Sequence, residues 1–428
     1  VCRCLTVCRF RPLPTTTLFS RALYVSLLTR PGAWACRMGD DAHARTGDAS
    51  TSSVMDVDSL LKKAMHPGRS FQAQRLRDWK SSGTKLLDLR PAGAFAAVRF
   101  ANTVNIPFRD LDGRLHELPP RSTPMAVLLD QPAEGLEDQS YINQLSTFAA
   151  DFKQRPWNVT FVFVANPGDE DGLFDTVAKE ACVEVQTGIV HPHEKGRLWE
   201  PSDMVARWLP RIEANVPSAE DEINKKRVLV DLGCGAGRDA VFAALRGWHV
   251  LALDSDAKGL QRCAALARTH GVEKLIHGQK VDLNKLEPAA IVDMARRHAT
   301  GAAAAAQGTN PAMTAIAGAM ASSQSTTSKP SFPPHITVLA VRYMNRPLTK
   351  ALPLILPVGA AVCWFHFLRG AELTAIGRPN KAKDLLEHGE LRGVFETAPS
   401  GDWDVLCDGE TVIPDGRPVS EFVAKRRE

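Results

Sequence analysis

A chain of 428 residues is too long for one ordinary hydrophobic core, so two domains are the first expectation. An apolar content of 44% with 23% charged residues is that of a soluble globular protein. The formal charge of +4 comes from one end: residues 1–37 hold six arginines and no Lys, Asp or Glu, which leaves about −2 elsewhere. A body so balanced gives no electrostatic support for a general nucleic-acid binder.

In chain order, the Arg-rich, acid-free leader has the composition of an organellar transit peptide. Residues 1–37 read equally well as sequence upstream of the true start, because the first methionine is Met38. The expected location is cytoplasmic, or mitochondrial if the leader is genuine. Residues 1–55 are expected to be leader and disordered tail. The nine cysteines are scattered, without metal-ligand spacing, which argues for reduced thiols and no metal site.

From Val57 the pattern runs helix, turn, then a strand over Lys85–Leu89. Apolar runs follow at "TVNIPF", "PMAVLLD" and "VTFVFVAN", with helical or turn-rich spacers between them. Strands alternating with helices predict an α/β domain with a largely parallel sheet over residues 56–212. Residues 213–226 are polar and read as a linker.

The second domain, 227–428, opens with "VLVDLGCGAGRDAVFAALRGWHVLALDSD". A strand ends in Asp231, three glycines (Gly233, Gly235, Gly237) turn the chain, and Arg238 starts a helix whose free N–H groups face the turn. The spacing is G-x-G-x-G, whereas a dinucleotide pyrophosphate is held by G-x-G-x-x-G. Asp231 so close to the turn suits a cationic or amine-bearing ligand. The next strand ends in Asp254, placed for a ribose diol, and a third strand leads to Asp282 and Leu283. Residues 295–335, alanine-rich and then Ser/Thr/Gln/Pro-rich, read as a surface insertion between two core strands. "ALPLILPVGAAVCWFHFL" (351–368) has the length of a membrane span, but Pro353, Pro357 and Gly359 break it. It reads as a short helix, a turn and a buried strand, with no membrane partner implied.

These motifs resemble class I methyltransferases. "VLAVRYMNRPL" (338–348), "WFHFLRG" (364–370), "GRPNKAKDLLEHGEL" (377–391) and "GRPVSEFVAKRR" (416–427) resemble the later motifs of the tellurite-resistance type. The resemblance implies a Rossmann-like fold with a mostly parallel seven-stranded sheet and S-adenosyl-L-methionine as cofactor. It implies Asp231 and the glycines at the methionyl part, Arg238 at its carboxylate, Asp254 at the ribose, and Asp282 with Leu283 at the adenine. The chain departs from the pattern at His335-Ile336, where the fourth strand usually starts with an aromatic residue and Asp. Arg342, Tyr343, Arg346 and His366 lie at the carboxyl ends of the fourth and fifth strands, as substrate-side candidates. The expected acceptor is a small molecule, anionic or a thiol or metalloid, with nucleic acid not expected.

Residues 86–130 resemble a rhodanese domain through Asp88, Arg90, Phe95 and "VNIP" (104–107). Sulfur transfer in that family needs a cysteine in the loop after the "PMAVLLD" strand, and this chain has "DQPAEG" there. The expectation is an inactive rhodanese-like module fused to a methyltransferase. The competing expectation is a non-catalytic scaffold that keeps both folds.

Overall fold

The computed structural model describes residues 69–130, 157–165, 172–214, 227–306, 335–399 and 401–427. The leader, the "DQPAEG" loop, most of the linker and residues 307–334 of the expected insertion lie outside the described residues. Residues 54–428 cluster as one unit that contains two principal sheets.

The first sheet is parallel, in the order β3-β1-β4-β5: β1 Lys85–Asp88, β3 Thr103–Asn105, β4 Met125–Asp130 and β5 Val159–Ala165. Its strands are apolar runs because both faces are covered. On one face α1 (Arg69–Ser82) packs Ala73, Leu76 and Trp79 with Phe100 and Phe163. On the other, Ile106, Leu118, Trp157 and Leu198 close the core. The short strand β2 (Arg99–Phe100) pairs antiparallel with β6 (Val185–Gln186).

The buried Asp88 carboxylate holds Arg90 through Nη2 at 2.7 Å and Nε at 3.0 Å. Arg90 also donates to Val98 O, past the end of α2 (Ala92–Ala97), at 2.7 Å. The Asp-x-Arg motif therefore staples the turns after β1.

The second sheet has seven strands in the order β12-β13-β11-β10-β7-β8-β9. They are β7 Arg227–Leu232, β8 His249–Asp254, β9 Ile276–Lys280, β10 His335–Val341, β11 Ala361–Phe367, β12 Trp403–Val412 and β13 Pro418–Arg426. All neighbours are parallel except β13, which runs antiparallel between β11 and β12. The mostly parallel seven-stranded sheet expected from sequence is present. The order reverses at β7, with β8 on one side and β10 on the other, so a crevice opens at the carboxyl end of β7.

One boundary is corrected. The first domain expected over residues 56–212 would take in most of helix α3 (Asp203–Ala214). Its buried Met204, Val205, Leu209 and Ile212 pack instead with Leu229, Val250 and Phe365 of the second sheet. Trp208 Nε1 donates to Glu421 Oε1 of β13 at 2.8 Å. Apolar spacing marks a helix as amphipathic but does not say which core its face meets.

The segment with the length of a membrane span is α7 (Arg346–Ile355), a turn at Gly359 and the fully buried β11. Between β9 and β10 lies α6 (Pro288–Ala306), the start of the expected insertion. Among the described residues no helix is long and apolar enough to cross a membrane.

Candidate functional site

The crevice is built from the loop between β7 and α4 (Arg238–Leu245). Gly233 N and Cys234 N donate to Leu253 O at 2.8 and 3.1 Å, and Gly237 N donates to Cys234 O at 2.9 Å. These bonds fold the loop back over the end of β8. Gly237 has φ +78°, and a Cβ there would overlap Cys263 Sγ and lie 2.7 Å from Cys263 Cβ. Cys263 belongs to α5 (Ala257–Thr269), so glycine is needed for the helix to approach. At Gly235, with φ +54°, a Cβ would meet nothing within 4 Å: this residue faces the open side.

Asp254 ends β8 at the lip of the crevice. Its Oδ2 accepts Gly235 N at 2.7 Å and its Oδ1 accepts Asp256 N at 2.8 Å. Each oxygen keeps a second lone pair, so the held carboxylate can still accept a pair of hydroxyls. Asp231 is buried, and its Oδ2 makes no hydrogen bond. Burial, then the nearby Asp239, Cys263 and Asp254, raise its pKa well above the ordinary carboxylate value. A buried acid beside other acids calls for a cation or an amine donor.

Asp282 lies two residues past β9 and is largely exposed; its Oδ1 accepts Asn284 N at 3.1 Å and its Oδ2 is 3.4 Å from Lys285 Nζ. Leu283 beside it is buried in the core. Asn345 joins this loop to the fourth strand of the domain. Its side chain donates to Leu283 O at 3.1 Å and caps α7 by accepting Leu348 N at 2.9 Å. The Tyr343 ring packs against Gly233, whose added Cβ would lie 3.1 Å from Tyr343 Cβ. Desolvation by burial raises the Tyr343 pKa.

Three candidates have partners outside the crevice. Arg238 donates to His116 O at 2.8 Å and Leu118 O at 3.2 Å, carbonyls of the first module, so its guanidinium is a clamp between modules. Arg346 pairs with Glu390 of α8 (Glu390–Glu396) at 2.7 Å and donates to Lys383 O and Leu385 O. His366 is buried, with Nε2 2.9 Å from Asp384 O, and its pKa is lowered by burial. Arg346 and His366 together fasten the turn 383–385. Arg342 remains exposed beyond β10, with φ +58° and its guanidinium 5.7 Å from the Phe367 ring centroid.

Asp239 was missed. Its Oδ1 accepts Ser202 N at 2.7 Å, which ties the start of α4 to the segment before α3. Only its place directly after the Gly-Arg pair could have flagged it. Among the described residues no group of three or more His, Cys, Asp or Glu could hold a metal ion.

Residues 207–294 match the family model described as "Tellurite resistance protein TehB". The match starts within α3, consistent with the packing of that helix on the second sheet. An uncharacterized protein of Schizosaccharomyces pombe, UNK4.09, is 24% identical over 348 residues, covering 80% of this chain and 94% of its own. A match of that length must run through parts of both modules. Among solved structures, TehB from Haemophilus influenzae aligns at 17% identity and TM-score 0.29, covering 51% of this chain and 62% of its own. The N-terminal domain of EvdMO1 with SAH bound aligns at 16% identity and TM-score 0.31, covering 54% and 87%.

Proposed function

We propose that residues 203–428 form an S-adenosylmethionine-dependent methyltransferase acting on a small acceptor. The observation that carries this reading is the buried Asp231 carboxylate without a hydrogen bond on Oδ2, beneath a glycine loop open at Gly235 and bordered by Asp254. This donor set fits a ligand with an ammonium group at one end and a diol at the other. Asp231 would receive the amino group of the methionyl part, Asp254 the ribose hydroxyls, and the Asp282 loop the adenine. S-adenosylmethionine, when bound, supplies a methyl group on a sulfonium that leaves without a proton.

The chain's own residues then have to place an acceptor in line and keep water away. Tyr343 walls the crevice over Gly233, and Asn345 holds the Asp282 loop in register with β10. Arg342, at the carboxyl end of β10, supports an anionic acceptor or one that develops negative charge. Tellurite, selenite and small thiols fit that description.

The first module, on this reading, is rhodanese-like and does not transfer sulfur. Cys182 supports this, because it is bonded through its carbonyl to Lys80 at the carboxyl end of α1, just before β1 begins. That is the opposite end of the sheet from the loop after β4. The module's role is to brace the glycine loop through Arg238.

Calorimetry with S-adenosylhomocysteine and with NAD tests the cofactor assignment. The first should bind at one site, the second should not, and Asp254→Ala should weaken binding by about 1–3 kcal/mol. Tight NAD binding, or an unaffected Asp254→Ala variant, would overturn it. Adenosylhomocysteine release across a panel of thiols and oxyanions then tests turnover; binding without any release would leave the scaffold reading in its place.

A further inference from the structure

A cavity of about 560 Å³ lies at the seam of the two modules, between α2, β3, residues 189–199 and the carboxyl end of α5. Thr269 and His270, at that end of α5, are its contribution from the second module. Helix α5 has 13 residues and begins beside the glycine loop. The loop meets α5 at Gly259 and Cys263, so at about 1.5 Å per residue the cavity lies roughly 10 Å further along the helix. None of Asp231, the three glycines, Asp254 or Asp282 lines it, so it is not the cofactor crevice. Its volume falls within the roughly 300–1,000 Å³ of small-molecule pockets.

The walls carry two chemistries. Phe95, Val104 and Ile189 supply an apolar surface, and Arg109, Lys195 and Arg197 supply cations. The cavity's two carboxylates compensate these cations only in part. Glu117 is taken by Arg114 through two bonds of 2.6 Å, and Asp110 stands 3.6 Å from Arg109, which is 83% exposed. The Arg197 guanidinium lies 5.2 and 5.1 Å from the Trp199 and Phe242 ring centroids and is 3.8 Å from Glu200. Lys195 has no ion pair among the described residues.

We propose that this cavity binds a small amphipathic anion: an apolar body of about two rings bearing a carboxylate, sulfonate or phosphate. The body lies against Phe95, Val104 and Ile189, and the acid faces Arg109 and Lys195. The turn that presents Arg114 and Glu117 to the cavity also supplies the His116 and Leu118 carbonyls that hold Arg238. An occupant would therefore sit one turn of chain from the glycine loop.

The probe is 8-anilinonaphthalene-1-sulfonate, titrated by fluorescence into the folded full chain. One saturable site per chain is expected, unaffected by saturating S-adenosylhomocysteine. The double substitution Arg109→Glu, Lys195→Glu should weaken it at least tenfold, while Lys350→Glu on α7 should leave it unchanged. The uncharged N-phenyl-1-naphthylamine, with the same ring system, should bind at least tenfold more weakly. Near-ultraviolet circular dichroism of each variant checks that tertiary packing is retained. Absence of a saturable site overturns the proposal, as does displacement by S-adenosylhomocysteine. Equal binding of the uncharged dye, or unchanged affinity in the double variant with native dichroism, overturns it as well.

Discussion

Asp231→Asn separates what the glycine crevice does for the fold from what it does for a ligand. The Asp231 carboxylate is buried at the end of β7 with Asp239 and Asp254 nearby and no hydrogen bond on Oδ2. Its folded pKa is raised, so the folded chain holds the proton more tightly than the unfolded chain does. The stability this group allows is complete below the unfolded value of about 4 and is lost as pH rises toward the folded value. Near neutrality the ligand-free protein therefore carries a cost that the amide removes without changing shape. Each unit by which the pKa is raised corresponds to about 1.4 kcal/mol once the acid ionises, so the variant should be more stable by about 1 kcal/mol or more at pH 7. The gain should fade as pH falls toward 4. An amino group bound at Asp231 would lose a charge-assisted bond of about 1.5–3 kcal/mol, and cofactor affinity should drop roughly 10- to 150-fold. Urea unfolding between pH 4 and 8 reads the first effect, and calorimetry with S-adenosylhomocysteine reads the second. A variant less stable at pH 7, or a gain independent of pH, would refute the electrostatic argument. Unchanged affinity would refute the assignment of the amino group.

Arg238→Ala removes two charge-assisted bonds across the seam and should lower stability by about 2–4 kcal/mol, with cofactor affinity changed no more than about threefold. Intact stability with collapsed affinity would return the guanidinium to the cofactor. Gly237→Ala places a Cβ against Cys263 at a positive φ and should cost about 2 kcal/mol or more by thermal unfolding. Cys263→Ala in the same chain should recover part of that loss; no recovery would refute the steric account. Arg346→Ala should lose about 2–4 kcal/mol by loosening the turn 383–385, whereas Arg342→Ala should change stability by about 0.5 kcal/mol or less and act on KM for the acceptor. The opposite pattern in urea unfolding and kinetics would exchange the two roles.

The fold was legible where the signal is local. Apolar runs ending in acid gave β7 and β8, and the G-x-G-x-G spacing gave the loop, because its strained backbone leaves glycine almost no alternative. Pro353, Pro357 and Gly359 broke the apolar segment in sequence as they do in space. The domain boundary was not legible. Helix α3 is amphipathic on any reading, and only the positions of Leu229, Val250 and Phe365 show which core receives it.

The same distinction separates the cofactor side of the crevice from the acceptor side. Asp231, Gly235 and Asp254 lie within one strand–loop–strand unit, so their spacing already encodes their meeting. Arg238, Arg346 and His366 meet partners far away in sequence: His116 and Leu118, Glu390 and Lys383, Asp384. A charged side chain at a strand end suggests an acceptor contact only while no nearer carbonyl or carboxylate claims it. Here Arg238, Arg346 and His366 are claimed and Arg342 is not, and each claim fixes a neighbouring turn in place. The crevice is thus supported from two directions, by the turn 383–385 above β11 and by the first module's turn at 116–118. The second support joins the two modules: the arginine that follows the glycines closes its hydrogen bonds on a chain segment more than a hundred residues earlier.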